Sequence, residues 1–118
     1  MTAYEKKLAD LIWEKEPIAS GDLVKLCEER LNWKKSTTYT MLKRICEQKL
    51  FQNQNACVTS LLSKEEYLQN QGEEFLKENY GGSIPGFLAA FMDRKRLTRR
   101  QLEEIKEMIA QYEEEAED

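Results

Sequence analysis

Residues 20–49, SGDLVKLCEERLNWKKSTTYTMLKRICEQK, decide the fold. Ser20 followed by Asp22 signals a helix start, and Leu23, Val24, Cys27 and Leu31 then recur at helical spacing, so they share one face. A polar connector, Asn32 to Lys34, separates this short helix from a second one. Ser36 is a natural N-cap residue, which predicts a helix from near Ser36 to about Lys49, with Leu42, Ile45 and Cys46 on its inner face and Met41 at the flank. Two helices joined by so short a turn form a helix-turn-helix.

Before this stretch, Thr2 and Glu5 make a capping box, and Tyr4, Leu8, Leu11 and Ile12 predict a first helix to about Lys15, interrupted at Pro17 and Ile18. After Leu50 the pattern becomes extended. Phe51 and Gln52, a polar Asn53-Gln54-Asn55 turn, and Ala56 to Leu62 with β-branched Val58 and Thr59 predict a two-stranded hairpin. Three helices followed by a hairpin is a winged-helix arrangement. From Ser63, which forms a capping box with Glu66, the chain returns to helix up to the Gly81-Gly82 pair. Ser83 with Pro85 starts another helix, and Thr98 with Gln101 the last. The expected class is therefore mostly α (α+β): an N-terminal winged helix-turn-helix over residues 1–62, then a three-helix dimerisation region over 63–118.

The reason for expecting a dimer is the apolar stripes of the second region. Tyr67, Phe75, Ile84, Phe87, Leu88, Phe91, Leu102, Ile105 and Ile109 fall at helical intervals. Three short helices and a small winged helix cannot bury them all, and an exposed patch of that size is uncommon on soluble monomers. A two-fold homodimer covers it with the fewest assumptions.

Charge is divided unevenly. The net charge is −4, but residues 1–62 carry 10 cations against 8 acids, and residues 63–118 carry 8 against 14. The basic excess gathers at 34–49, where Lys34, Lys35, Lys43, Arg44 and Lys49 face a single acid, Glu47. Lys34, Lys35, Ser36, Thr37, Tyr39, Thr40, Lys43 and Arg44 are the candidate DNA-contacting residues, because the N-terminal part of the second helix of such a motif reaches base edges. Hydroxyl side chains there bond phosphate or bases, and a Thr methyl packs on a thymine methyl. The same residues have plainer roles open to them: Ser36 as a cap, Arg44 paired with an acid of its own domain, Tyr39 as cover for the helix junction. Trp13 and Trp33 read as packing rather than ligand platforms. The wing, Asn53, Gln54 and Asn55, offers hydrogen bonds to the DNA backbone but no positive charge.

Several functions are disfavoured. With no histidine and no nucleophile elbow, P-loop or dinucleotide fingerprint, a catalytic role is not expected, nor is any cofactor. Cys27, Cys46 and Cys57 lack C-x-x-C spacing, so no metal site is expected. They read as reduced thiols filling small holes, with redox or soft-metal sensing as the alternative. No apolar run approaches a membrane span, and Met1 is followed by polar residues rather than a signal segment, so a cytoplasmic protein without membrane insertion is expected.

The run Trp33-Lys34-Lys35-Ser36-Thr37-Thr38-Tyr39-Thr40-Met41-Leu42-Lys43-Arg44-Ile45 resembles the recognition helix of the penicillinase-repressor family, the BlaI/MecI/CopY-type regulators. Leu11-Ile12-Trp13-Glu14-Lys15, Leu61-Leu62-Ser63-Lys64-Glu65-Glu66-Tyr67 and Gly81-Gly82-Ser83 resemble further landmarks in the same order. The resemblance implies a sequence-specific repressor acting as a homodimer on two-fold symmetric operator DNA, similar to the repressors of β-lactamase and methicillin-resistance genes. It also implies inactivation by a membrane sensor-protease that cuts the penultimate helix before a Phe, here the bond Ala90-Phe91. Better-known members have Asn at the position of Ala90. Members of the copper-responsive branch carry C-x-C pairs near the C-terminus, whereas this chain has no cysteine after Cys57 and ends in Tyr112-Glu113-Glu114-Glu115-Ala116-Glu117-Asp118. Thr38, where the family usually has an aliphatic residue, and the uncharged wing are further departures. A winged helix that docks a protein partner is the competing reading, and a non-β-lactam signal remains open.

Overall fold

The capping box at Thr2 starts α1, Ala3–Lys15: the Glu5 N–H donates to Thr2 Oγ1 at 3.2 Å and the Thr2 N–H to Glu5 Oε2 at 2.6 Å. Glu5 is also buried, and its Oε1 accepts from the Gln48 amide at 3.1 Å. The Thr2 N–H, aided by the Thr2 hydroxyl and Gln48, outweighs desolvation and holds this carboxyl below its ordinary value. The computed structural model describes residues 1–116; Glu117 and Asp118, the end of the acidic tail and of the 63–118 region, lie outside the described residues. After α1 come β1 (Ile18–Ala19), α2 (Ser20–Leu31), α3 (Lys35–Glu47), β2 (Phe51–Gln54), β3 (Cys57–Ser60), α4 (Lys64–Tyr80), α5 (Ile84–Asp93) and α6 (Arg99–Glu115). Six helices and a small antiparallel sheet give the expected mostly helical, α+β winged-helix layout.

Three details differ from the sequence expectation. The sheet has three strands in the order β1-β3-β2, because Ile18 pairs with Val58 and Ala19 with Cys57. A two-residue strand leaves no periodic trace. The hairpin turn lies at Asn55-Ala56 rather than Asn53–Asn55: Asn53 pairs with Val58 and Gln54 with Cys57, and the two turn residues take φ of 53° and 59°. Positive φ at both central positions is the type I′ pattern, whose twist matches that of the flanking strands. Ser36 is not the cap of α3. Lys34 occupies that position in extended conformation without a side-chain bond, its carbonyl accepting from the Thr38 N–H at 3.2 Å, and Ser36 stands exposed in the first turn.

The chain divides into two compact units, Met1–Asn70 and Gln71–Asp118. The first closes around Leu8, Ile12, Leu23, Cys27, Leu42, Ile45, Phe51 and Val58, drawn from three helices and the sheet. Trp33 is buried at its edge, where Tyr4 meets it edge-on at 5.5 Å. The start of α4 is tied down here. Trp13 Nε1 donates to the Leu62 carbonyl at 3.1 Å, Lys64 meets Asp10 at 3.0 Å, and buried Tyr67 lies 5.7 Å from the Trp13 ring. The Glu16 carboxylate accepts from the Ser60 N–H at 2.9 Å and from its hydroxyl at 2.8 Å.

In the second unit the start and stop signals fall where expected. Gly81 and Gly82 take positive φ and end α4, the Gly82 N–H reaching back to the Leu76 carbonyl. Ser83 Oγ accepts from the Gly86 N–H, and Thr98 with Gln101 completes a capping box. Helix α5 ends in a Schellman motif: the N–H of Arg96 bonds the Phe91 carbonyl and that of Lys95 bonds Met92, with Lys95 at φ 54°.

Candidate nucleic-acid interface

Helix α3 buries Thr38, Leu42 and Ile45, spaced four and three apart, and this fixes the orientation of everything else on it. Lys35, Ser36, Tyr39, Thr40, Lys43 and Arg44 are exposed, with Lys34 just before the helix, and Thr37 is half-buried. Lys35 Nζ lies 5.9 Å from the Tyr39 ring centroid, a cation–π distance that holds the charge over the first turn. None of Lys34, Lys35, Lys43 and Arg44 has an ion-pair partner among the described residues. Arg44, open to an internal pairing from sequence, makes none there.

The N-terminus of α3 has no side-chain cap, so its first N–H groups are open to an anion, where the helix dipole also favours negative charge. Wing and helix meet at a cleft of about 450 Å³ lined by Tyr39, Leu42, Lys43, Cys46, Glu47 and Asn53. The structure thus brings Asn53 beside Tyr39 and Lys43. Gln54 and Asn55 are exposed along the hairpin and do not line that cleft. Leu42, Cys46 and Glu47 were not among the candidate residues. Their spacing of three and four from Tyr39 and Lys43 was the available signal. Burial raises the pKa of the Cys46 thiol, which does not suit a reactive nucleophile.

Under this surface one polar group is poorly satisfied. Thr38 is fully buried, and its Oγ1 has no partner that meets hydrogen-bond geometry. It interacts with the Cys27 thiol, a weak acceptor: burial raises the pKa of that thiol, and the Thr38 hydroxyl partly opposes the shift.

The apolar positions of the second unit are much more open. No residue of α5 or α6 is buried, and Phe75, Ile84 and Ile109 are 48%, 60% and 51% exposed. Phe91 is also exposed, and Phe87, Leu88, Leu102 and Ile105 are half-buried. Phe87 is edge-on to Phe75, Tyr80 and Phe91 at 5.9, 5.4 and 5.0 Å. Tyr67 is already buried within the first unit. Ala90 and Phe91 are exposed but helical, inside α5.

The family model described as "Penicillinase repressor" matches residues 1–111. A curated protein named "Penicillinase repressor", from Bacillus licheniformis, is 18% identical over 112 residues, covering 92% of this chain and 88% of that protein.

Proposed function

The chain belongs to the penicillinase-repressor family, and on that premise we propose that it is a cytoplasmic transcriptional repressor that binds two-fold symmetric operator DNA as a homodimer. The observation that carries this reading is the exposed face of α3. Four cations without ion pairs among the described residues surround Ser36, Tyr39 and Thr40 on a helix whose N-terminus is uncapped. Lys34, Lys35 and Ser36 sit where phosphates would be held, and Tyr39, Thr40 and Lys43 where base edges would be read, with Thr37 and Arg44 flanking them. Asn53, Gln54 and Asn55 add neutral hydrogen bonds from the wing, so most of the salt-dependent affinity comes from α3. Residues 1–62 form the DNA-reading domain and 63–118 the dimerisation region, where the exposed Phe75, Ile84, Phe91 and Ile109 support assembly.

Release from DNA requires the dimerisation region to be cut or remodelled. Cutting at Ala90-Phe91 by a membrane sensor-protease is the route the family resemblance implies, and local unwinding of α5 would have to precede it because the bond is helical.

Gel-shift titration against the DNA upstream of the gene tests the reading. Specific binding about 1,000-fold tighter than to random duplex is expected at moderate salt. Lys43→Ala should lower that ratio by about tenfold or more, whereas Lys34→Ala should weaken all duplexes alike and flatten the salt slope by about one unit. No preference for the upstream DNA would overturn the proposal, and binding by a protein partner would then be the reading left.

A further inference from the structure

Helix α6 carries its charges against its own dipole. Arg99 and Arg100 stand in its first turn, where there is no acid, and Glu113, Glu114 and Glu115 stand at its end, where there is no base. The N-terminus of a helix favours negative charge and the C-terminus positive, so both placements are locally unfavourable. The preceding turn adds Arg94, Lys95 and Arg96, and residues 94–100 contain no acid. Arg100 meets Glu104 at 3.5 Å, but that pair is exposed and has the weaker order, cation before anion. Arg99, Glu113 and Glu114 have no ion pair among the described residues. The two ends cannot relieve each other, since a rise of ~1.5 Å per residue sets Arg99 and Glu113 about 21 Å apart, well beyond a Debye length of ~8 Å. A sequence that breaks a local rule at both ends of one helix calls for a compensating contact outside it.

Between the charged ends runs a stripe of Leu102, Ile105, Ile109 and Tyr112, spaced three, four and three apart. Leu102 and Ile105 are half-buried, and Tyr112 is 74% exposed. This is the heptad spacing by which one helix presents a seam to another. Arg99 and Glu113 are two heptads apart on one edge of that seam, whereas Arg100 and Glu114, one residue further along, lie on the face turned away from it.

We propose that α6 pairs antiparallel with α6 of a second copy of this chain, so that Arg99 of each copy meets Glu113 of the other. The proposal rests on the homodimer reading above and adds the direction of this helix pair and the electrostatics that set it. Antiparallel pairing joins opposite charges at both ends and opposes the two dipoles, whereas parallel pairing would stack like charges at each end. Lys106 falls near the two-fold axis, and Glu103 of its own chain already holds its ammonium at 3.9 Å.

Sedimentation equilibrium of the full chain tests the pairing, using R99E, E113K and the variant that combines both changes. At low salt each single variant should weaken dimerisation about tenfold, because attraction becomes repulsion at both ends of the pair. The combined variant should return to within about threefold of the wild type, and high salt should compress all these differences. R99E places an acid at a helix N-terminus and so stabilises isolated α6; weaker dimerisation with unchanged far-ultraviolet circular dichroism therefore reports the interface. Single variants that dimerise like the wild type, or a combined variant no better than either single one, would overturn the pairing alone. A monomeric wild-type chain at micromolar concentration would overturn both the pairing and the homodimer.

Discussion

The two units of this chain bury their apolar side chains to very different degrees. In Met1–Asn70, α1, α2, α3 and the sheet enclose a core in which Leu8, Ile12, Leu23, Ile45, Phe51 and Val58 are almost wholly withdrawn from solvent. In the other unit, α5 and α6 bury no residue, although α5 is the most apolar helix in the chain. A unit that satisfies its own apolar surface can present a polar, charged face without losing stability, and this is what α3 does. A unit that does not satisfy it has surface free to be covered by something else. Under the proposed function, the difference separates a DNA-reading unit from an arm to be covered by a second copy.

The largest expected effect tests that contrast directly. Phe51→Ala, in the closed core, should lower unfolding free energy by about 3–5 kcal/mol at any protein concentration, as read by denaturant titration. Phe75→Ala, on the open face, should lower the stability of the monomer by only about 1 kcal/mol, through its edge contact with Phe87, but make the apparent melting temperature more dependent on concentration. Equal, concentration-independent losses from both would erase the distinction between the units.

A smaller effect of opposite sign lies inside the first unit. Thr38→Val keeps the shape and removes the unsatisfied hydroxyl beside Cys27, and should stabilise the first unit by about 1 kcal/mol without changing exposed α3 residues. If the variant were instead destabilised, the hydroxyl would have a partner stronger than the thiol. Smallest is the hairpin. Ala56 holds φ 59° in a turn that favours glycine at its second position, so Ala56→Gly should add about 0.5–1 kcal/mol, measured as a shift in denaturation midpoint with unchanged slope. No gain would mean that the entropy of the added glycine in the unfolded chain cancels the relief.

Much of this architecture was legible because it is written in local chemistry. The capping boxes at Thr2/Glu5, Ser63/Glu66 and Thr98/Gln101, and the stop at Gly81-Gly82, act over three or four residues and need no distant partner. So does the spacing of Leu42 and Ile45, which placed Tyr39, Thr40 and Lys43 on the open side of α3. The cap of α3 is the local exception: Asn32 closes α2 at φ 57°, and two residues later Lys34, a poor cap by composition, takes the N-cap position that Ser36 suits better.

The sequence by itself determined the order of helices, their caps and the basic face of α3, since periodicity and capping depend on neighbours along the chain. Only the tertiary structure decided that Ile18–Ala19 joins the sheet, that Asn53 belongs to a strand beside Tyr39 and Lys43, that Tyr67 is buried against Trp13, and that Thr38 lacks a good partner. Each of these depends on which groups meet across dozens of residues, and a one-dimensional pattern carries no record of such meetings.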